Sequence, residues 1–172
     1  MAMAAGCASA PPNRMGWIAE HGGSVSGPLQ ARADAALARL TPVLGTPSNV
    51  RVYVLGSASI GAFSWPDGDL FVHRRLVQAL SDDELSAALA HELGHLLNDG
   101  HLHGVASLRG CSRSLDNEAR ADARGVEVLK TSGIDPAVMG SMLSKVRDLL
   151  PDAPECRRAL GRRIDLLASA QR

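Results

Sequence analysis

Aromatic side chains are scarce in this chain. Two Phe, two Trp and one Tyr, 3% of 172 residues, leave the core to Leu, Val, Ile and Ala, and small apolar residues of this kind favour close helix packing. Cysteine is nearly as rare. Cys7, Cys111 and Cys156 form no C-x-x-C pair, which argues against a cysteine-based zinc site. If the protein is exported, Cys111 and Cys156 pair in an oxidising compartment; otherwise they stand as two unlinked buried thiols. Net charge is absent too: 18 basic residues balance 18 acidic ones, with no basic block. That speaks against nucleic acid or an anionic membrane surface as partner. No segment approaches the roughly 20 consecutive apolar residues needed to cross a bilayer. No internal repeat is visible, so a single domain, long enough to bury a core without staples, is the default.

The first residues, "MAMAAGCASAPP", hold an "AAGC" that resembles the end of a bacterial lipoprotein signal, although the basic start and apolar stretch that should precede it are missing. The two readings are a trimmed precursor with a lipid anchor at Cys7, and an Ala-rich unstructured start. Residues 1–27 are expected as a disordered or extended leading segment, with 22–27 a flexible loop, and 28–172 as the folded domain. From Pro28 on, Leu29, Ala33, Ala36, Leu37 and Leu40 share one helical face. "VRVYVL", 50–55, is a β-branched strand; a second short strand ends near Trp65; "WPDGD" is a turn and "LFVH", 70–73, a third strand. "RRLVQAL" then reads as a short helix. Ser81 to Glu84 form an S-x-x-E capping box that opens a helix over 82–97, with Asn98 and Gly100 as its stop. Helices are expected over 114–131, after Asp135-Pro136, and from about 155 to the end. Strands followed by helices imply an α+β fold, a small sheet against a helical body.

Within the capped helix stands "HELGHLLNDGH", 91–101. His91 and His95 are four apart, a little over one turn, so both imidazoles leave one helix face, as two ligands of a single zinc ion must. Glu92, about 100° round the helix, is placed to act as general base on a water. The surrounding Ala and Leu residues exclude a solvated face, and buried His and Glu need partners. Gly94, unfavourable inside a helix, implies a close neighbour or a substrate channel. The spacing leaves two placements for the third ligand. His101 stands where the H-E-x-x-H-x-x-G-x-x-H pattern has its third His, with Asn98 in place of the Gly; Met139 or Met142 would then supply the methionine turn, although both sit in a pattern of core packing. Glu118 is the other, with Asp122 one turn on to orient an imidazole. His21, His73 and His103 carry no spacing signal and read as surface or loop residues.

Four collinear segments carry a resemblance. "GAFSWPDGDLFVHRRLV", 61–77, resembles N-A-F-A-x-P-G-G-x-I-x-V-x-x-G-L-L; "LSDDELSAALAHELGH", 80–95, the zinc helix; "EARAD", 118–122, the E-x-x-x-D motif; and "RRIDLL", 162–167, a late R-I-x-x-L. These are similar to the gluzincin metalloproteases that include the HtpX heat-shock protease and the CAAX prenyl endopeptidases, over roughly residues 28–168. The resemblance implies a zincin-like fold: a small mixed sheet, with an edge strand for substrate, packed on the helical body that carries the H-E-x-x-H helix. It implies one Zn²⁺ held by His91, His95 and Glu118, Glu92 as base and acid, Asp122 behind the ligands, and Phe63, Ser64 and Trp65 on the substrate-binding strand. Gly61 replaces the family's Asn, and the late His-Pro before R-I is absent. Arg163 or Tyr53 then remains for oxyanion stabilisation or site support. The implied activity is a zinc-dependent endopeptidase acting on polypeptides, such as misfolded or envelope proteins. The alternative is a zinc-bearing, chaperone-like peptide-binding module with little or no proteolysis. The implied place is the periplasm or cell envelope, with the cytoplasm as the alternative.

Overall fold

The structure, a computed structural model, describes residues 13–40, 49–65, 67–99, 106–107, 114–150 and 152–170. Cys7, His101, His103 and Cys111 lie outside the described residues. The fold is α+β. The described strands form one mixed sheet in the order β1-β2-β4-β3-β5. These are β1 (Ser24–Val25), β2 (Arg51–Leu55), β3 (Ala62–Ser64), β4 (Asp69–His73) and β5 (Ala106–Ser107). β2 and β4 run parallel in the centre; the other pairings are antiparallel.

Period-2 alternation gives the sheet two distinct faces. Val52 and Val54 of β2, Ala62 of β3, and Leu70 and Val72 of β4 join the large core shared with the helices. That core is covered by α2 (Pro28–Ala38), α3 (Arg74–Ala79), α4 (Asp82–Asp99), α5 (Leu115–Thr131), α6 (Val138–Asp148) and α7 (Pro154–Ala170). Met139 and Met142 are fully buried within it, as the helical pattern implied. The opposite face collects Tyr53, Leu55, Phe63, Trp65 and Phe71, capped by Trp17 and Ile18. Those last two belong to α1 (Arg14–Glu20). Every aromatic residue of the chain is therefore in this second cluster. Trp17 packs edge-on to Phe63 and Phe71, at centroid distances of 5.3 and 5.0 Å.

Here the structure departs from expectation. Residues 13–25 are ordered against the sheet as α1 and β1. The local signals are present: Asn13 Oδ1 accepts the Met15 N–H at 3.1 Å, and two glycines follow at 22 and 23. Seven helical residues are too few to show a period. His73 is buried at the end of β4, and His21 stacks on it at 5.6 Å. His73 thus belongs to the edge of the aromatic cluster and not to the surface, and His21 is a half-buried residue of the turn after α1.

The ends of α4 and α5 follow the sequence closely. Ser81 Oγ accepts the Glu84 N–H at 3.2 Å, and Glu84 Oε2 accepts the Ser81 N–H at 2.7 Å, the reciprocal bonds of a capping box. Ser114 caps α5 through Asn117 N–H. Between the two helices the backbones come unusually close. A methyl at Gly94 would stand 2.3 Å from the Ala121 carbonyl oxygen, and one at Gly125 would stand 3.1 Å from that of Ala90. The missing side chain of Gly94 thus makes room for a packed helix, not for a channel.

Candidate metal centre

The α4–α5 seam brings two sequence segments together. α4 presents His91, Glu92 and His95; α5 presents Glu118 and Asp122, four apart and so on one face. α7 adds Arg163. All six are buried: relative exposures are 0% for His91 and Glu92, 4% for His95, 1% for Glu118 and Asp122, and 2% for Arg163. A solvated acidic face is thereby excluded.

His91 Nε2 lies 3.5 Å from Glu118 Oε2, and His95 Nε2 lies 3.4 Å from Glu118 Oε1. One ligand atom from each of the three residues can be chosen so that all lie within 4.8 Å of one another. A tetrahedral zinc with ligands about 2.1 Å away has ligand–ligand edges of roughly 3.4 Å, so the spacing fits one ion. The buried His91 Nε2 makes no hydrogen bond, as a nitrogen aimed at a cation would. His91 Nδ1 instead stands 2.8 Å from Asp122 Oδ1. With the proton on Nδ1, that contact is a donated hydrogen bond, and the Nε2 lone pair faces Glu118.

Charge gives the same reading. Glu92, Glu118 and Asp122 against Arg163 leave two negative charges in a buried pocket when both imidazoles are neutral, the complement of a divalent cation. Burial alone would raise both carboxyl pKa values. The close approach of His91 and His95 and the charge of Arg163 overcome it for Glu118, and the hydrogen bonds and charge of Arg163 and His91 do so for Asp122; both stay well below the usual carboxylate range. Burial and the Arg163 charge oppose protonation of His91, yet Asp122 and Glu118 prevail and push it up to about 9. Each shift shows a pocket that stabilises positive charge.

Not every residue expected at the site is there. Tyr53 lies on the aromatic face, stacked on Phe71 at 5.4 Å, because its neighbours Val52 and Val54 take the helical face. Phe63 and Trp65 are buried in the same cluster for the same reason of alternation. Nor is β3 the outer strand. Phe63 pairs with Ser107 and Ser64 with Ala106, so β5 covers its edge and Ser64 is itself buried. Arg163 does sit at the centre, but its donors face carboxylates. Nε and Nη2 reach Asp122 at 2.7 and 2.6 Å, and Nη1 reaches Glu118 Oε2 at 2.9 Å. These contacts tie Arg163 to the two α5 carboxylates. Cys156, at the start of α7, is disulfide-bonded.

A mixed sheet whose neighbouring helices converge two imidazoles and a carboxylate defines a candidate metallohydrolase centre. Comparison with known families matches residues 29–115 to Peptidase family M48. The match covers half the chain: the protein belongs to peptidase family M48, hydrolases of the metalloendopeptidase class. Among curated proteins, it is similar to the Beta-barrel assembly-enhancing protease of Yersinia pestis, at 26% identity over 56% of this chain and 28% of that protein. It is also similar to Metalloprotease LoiP of Escherichia coli (strain K12), at 25% identity over 61% of this chain and 54% of that protein. The chain thus spans about half or less of the length of these relatives. Among the described residues no helix is long and apolar enough to cross a membrane.

Proposed function

We propose that residues 28–172 act as a zincin-like peptidase unit that hydrolyses polypeptides, with one zinc ion held by His91, His95 and Glu118. The observation that carries this reading is the convergence of those three side chains, buried, at 3.4–3.5 Å between imidazole nitrogens and carboxylate oxygens. Zinc, when bound, polarises the scissile carbonyl and lowers the pKa of a water towards about 7. Glu92 is the next residue along α4 from a ligand and is fully buried. One of its carboxylate oxygens takes the proton of the attacking water and passes it to the leaving amine. Asp122 holds the proton on His91 Nδ1 and so keeps Nε2 available.

The substrates we infer are misfolded or envelope polypeptides, since the name of the Yersinia pestis relative ties that protein to β-barrel assembly. The disulfide at Cys156 supports an oxidising, extracytoplasmic setting, in which Cys7 is the candidate lipid anchor.

The test is a casein digest with the zinc-loaded protein. Cleavage should stop with a chelator and return with zinc. Glu92→Gln should keep the zinc and lose at least about 10²-fold in rate. Unchanged proteolysis in that variant refutes the assignment. Capture of unfolded casein by zinc-loaded protein without cleavage would select the peptide-binding alternative.

A further inference from the structure

We propose that Arg163 is a positioning residue of the metal centre: it takes up Glu118 Oε2 and both oxygens of Asp122, so that Glu118 offers Oε1, and His91 offers Nε2, to the ion. The inference rests on the metal reading above.

Arg163 comes from α7, the third helix to reach the site, and is almost fully buried. Its contacts are divided with some specificity. Nε and Nη2 grip Asp122 Oδ2 and Oδ1 as a fork, and Nη1 turns to Glu118 Oε2 at 2.9 Å. A planar guanidinium can serve two carboxylates one helical turn apart; a lysine ammonium, a single point of charge, cannot reproduce the fork. Oε2 lies 3.5 Å from His91 Nε2 but takes the shorter contact from Arg163, so the oxygen that Arg163 leaves to the ion is Oε1, which faces His95 Nε2 at 3.4 Å.

The third neighbour is His91. Arg163 Nη2 stands 3.2 Å from His91 Nδ1, and both approach Asp122 Oδ1, at 2.6 and 2.8 Å. Two readings are open for that triangle. If Nη2 donated to Nδ1, the ring proton would sit on Nε2 and His91 would not bind a metal. The shorter contacts to Oδ1 decide otherwise: one carboxylate oxygen accepts from both, and the ring proton stays on Nδ1. By fixing Asp122 with two bonds, Arg163 fixes the tautomer of a ligand that it need not touch productively itself. It also separates two carboxylates that would repel each other on one face of α5.

A purely structural role, fastening α7 to α5, would not distinguish one metal geometry from another, and that difference is measurable. Zinc affinity is read by competition with a chromophoric chelator, and ligand geometry by the visible spectrum of the Co²⁺-loaded protein. Arg163→Lys should weaken zinc binding by about 10–100-fold. It should also weaken the cobalt bands, because Glu118 is freed to offer both oxygens and raises the coordination number. Leu160→Ala, a buried change on the same helix, should lower the melting temperature and leave affinity and spectrum as they are. Wild-type affinity and spectrum in Arg163→Lys, or an equal loss in Leu160→Ala, overturns the proposal.

If Arg163→Lys does not fold, the zinc-loaded wild type supplies the answer by ¹⁵N NMR. The Arg163 Nε–H should exchange slowly with solvent; rapid exchange overturns the clamp. His95→Ala is the separate arm. If the wild type takes up no zinc, or if His95→Ala binds zinc as the wild type does, the metal reading itself fails, and the clamp with it.

Discussion

The two faces of the sheet use opposite materials. One gathers all five aromatic rings, sealed by the short helix α1. Among the described residues its buried carboxylate is Asp69, which is paired with Arg14 and Arg51. The other is built from Ala, Val, Leu, Ile and Met, and where α4, α5 and α7 meet lie the two imidazoles, three carboxylates and guanidinium of the candidate site. Large rings fill a broad face whose backbone is fixed by strand pairing. Small residues do something that rings cannot: they let α4 and α5 approach until His91 and His95 of one meet Glu118 of the other. On this account the aromatic face supplies stability and the glycine seam supplies the site.

The comparison is broken most forcefully from the aromatic side. Phe71→Ala, at the fully buried centre of that cluster, should destabilise by about 3–5 kcal/mol in urea unfolding. The molecules that remain folded in the cold should bind zinc as the wild type does. A large loss of zinc affinity there would show that the two faces are not separable.

Gly94→Ala is the reverse case. Its methyl meets backbone, 2.3 Å from the Ala121 carbonyl oxygen, so the helices must part. A cost of about 1–3 kcal/mol is expected, smaller than for Phe71. Ala121 sits between Glu118 and Asp122, so zinc affinity should fall markedly. Equilibrium dialysis checks this, and retention of full affinity would mean that the seam does not set the ligand spacing.

A smaller effect sharpens the same side. Glu84 closes the capping box of α4 and pairs with Lys145 at 2.7 Å. Burial raises its pKa, but the Lys145 hydrogen bond and charge, with the bonds from Ser81, bring the net value below the ordinary one. A depressed carboxyl pKa stabilises the fold above the unfolded value of about 4.3, and that stability is lost as the pH falls through the lower folded value. Glu84→Gln should therefore lower stability by about 1 kcal/mol at pH 7 and by progressively less below pH 4. Melting curves from pH 7 to pH 3 test it; a difference that persists unchanged into acid contradicts the assignment.

Legibility in the sequence followed the same division. The helices α4 and α5 are legible through local rules: the S-x-x-E box, the four-residue steps His91–His95 and Glu118–Asp122, and the breaker residues after each helix. The aromatic face is not. Phe63 and Trp65 lie in a motif that resembles a substrate strand, but which side of a short strand faces the helices depends on partners distant in the chain, here β4 and β5. The same one-residue alternation sets Tyr53 on the aromatic face. Arg163 carried no spacing signal, because its partners lie 41 and 45 positions upstream, at Asp122 and Glu118. α1 was too short for periodicity, although Asn13 and the paired glycines marked its ends.

The most direct measurement is the zinc content of purified protein, wild type against Glu118→Ala, with circular dichroism to show that the variant is folded. One ion per chain in the wild type, and almost none in the folded variant, is the predicted result. A folded Glu118→Ala protein that keeps its full zinc would contradict the account.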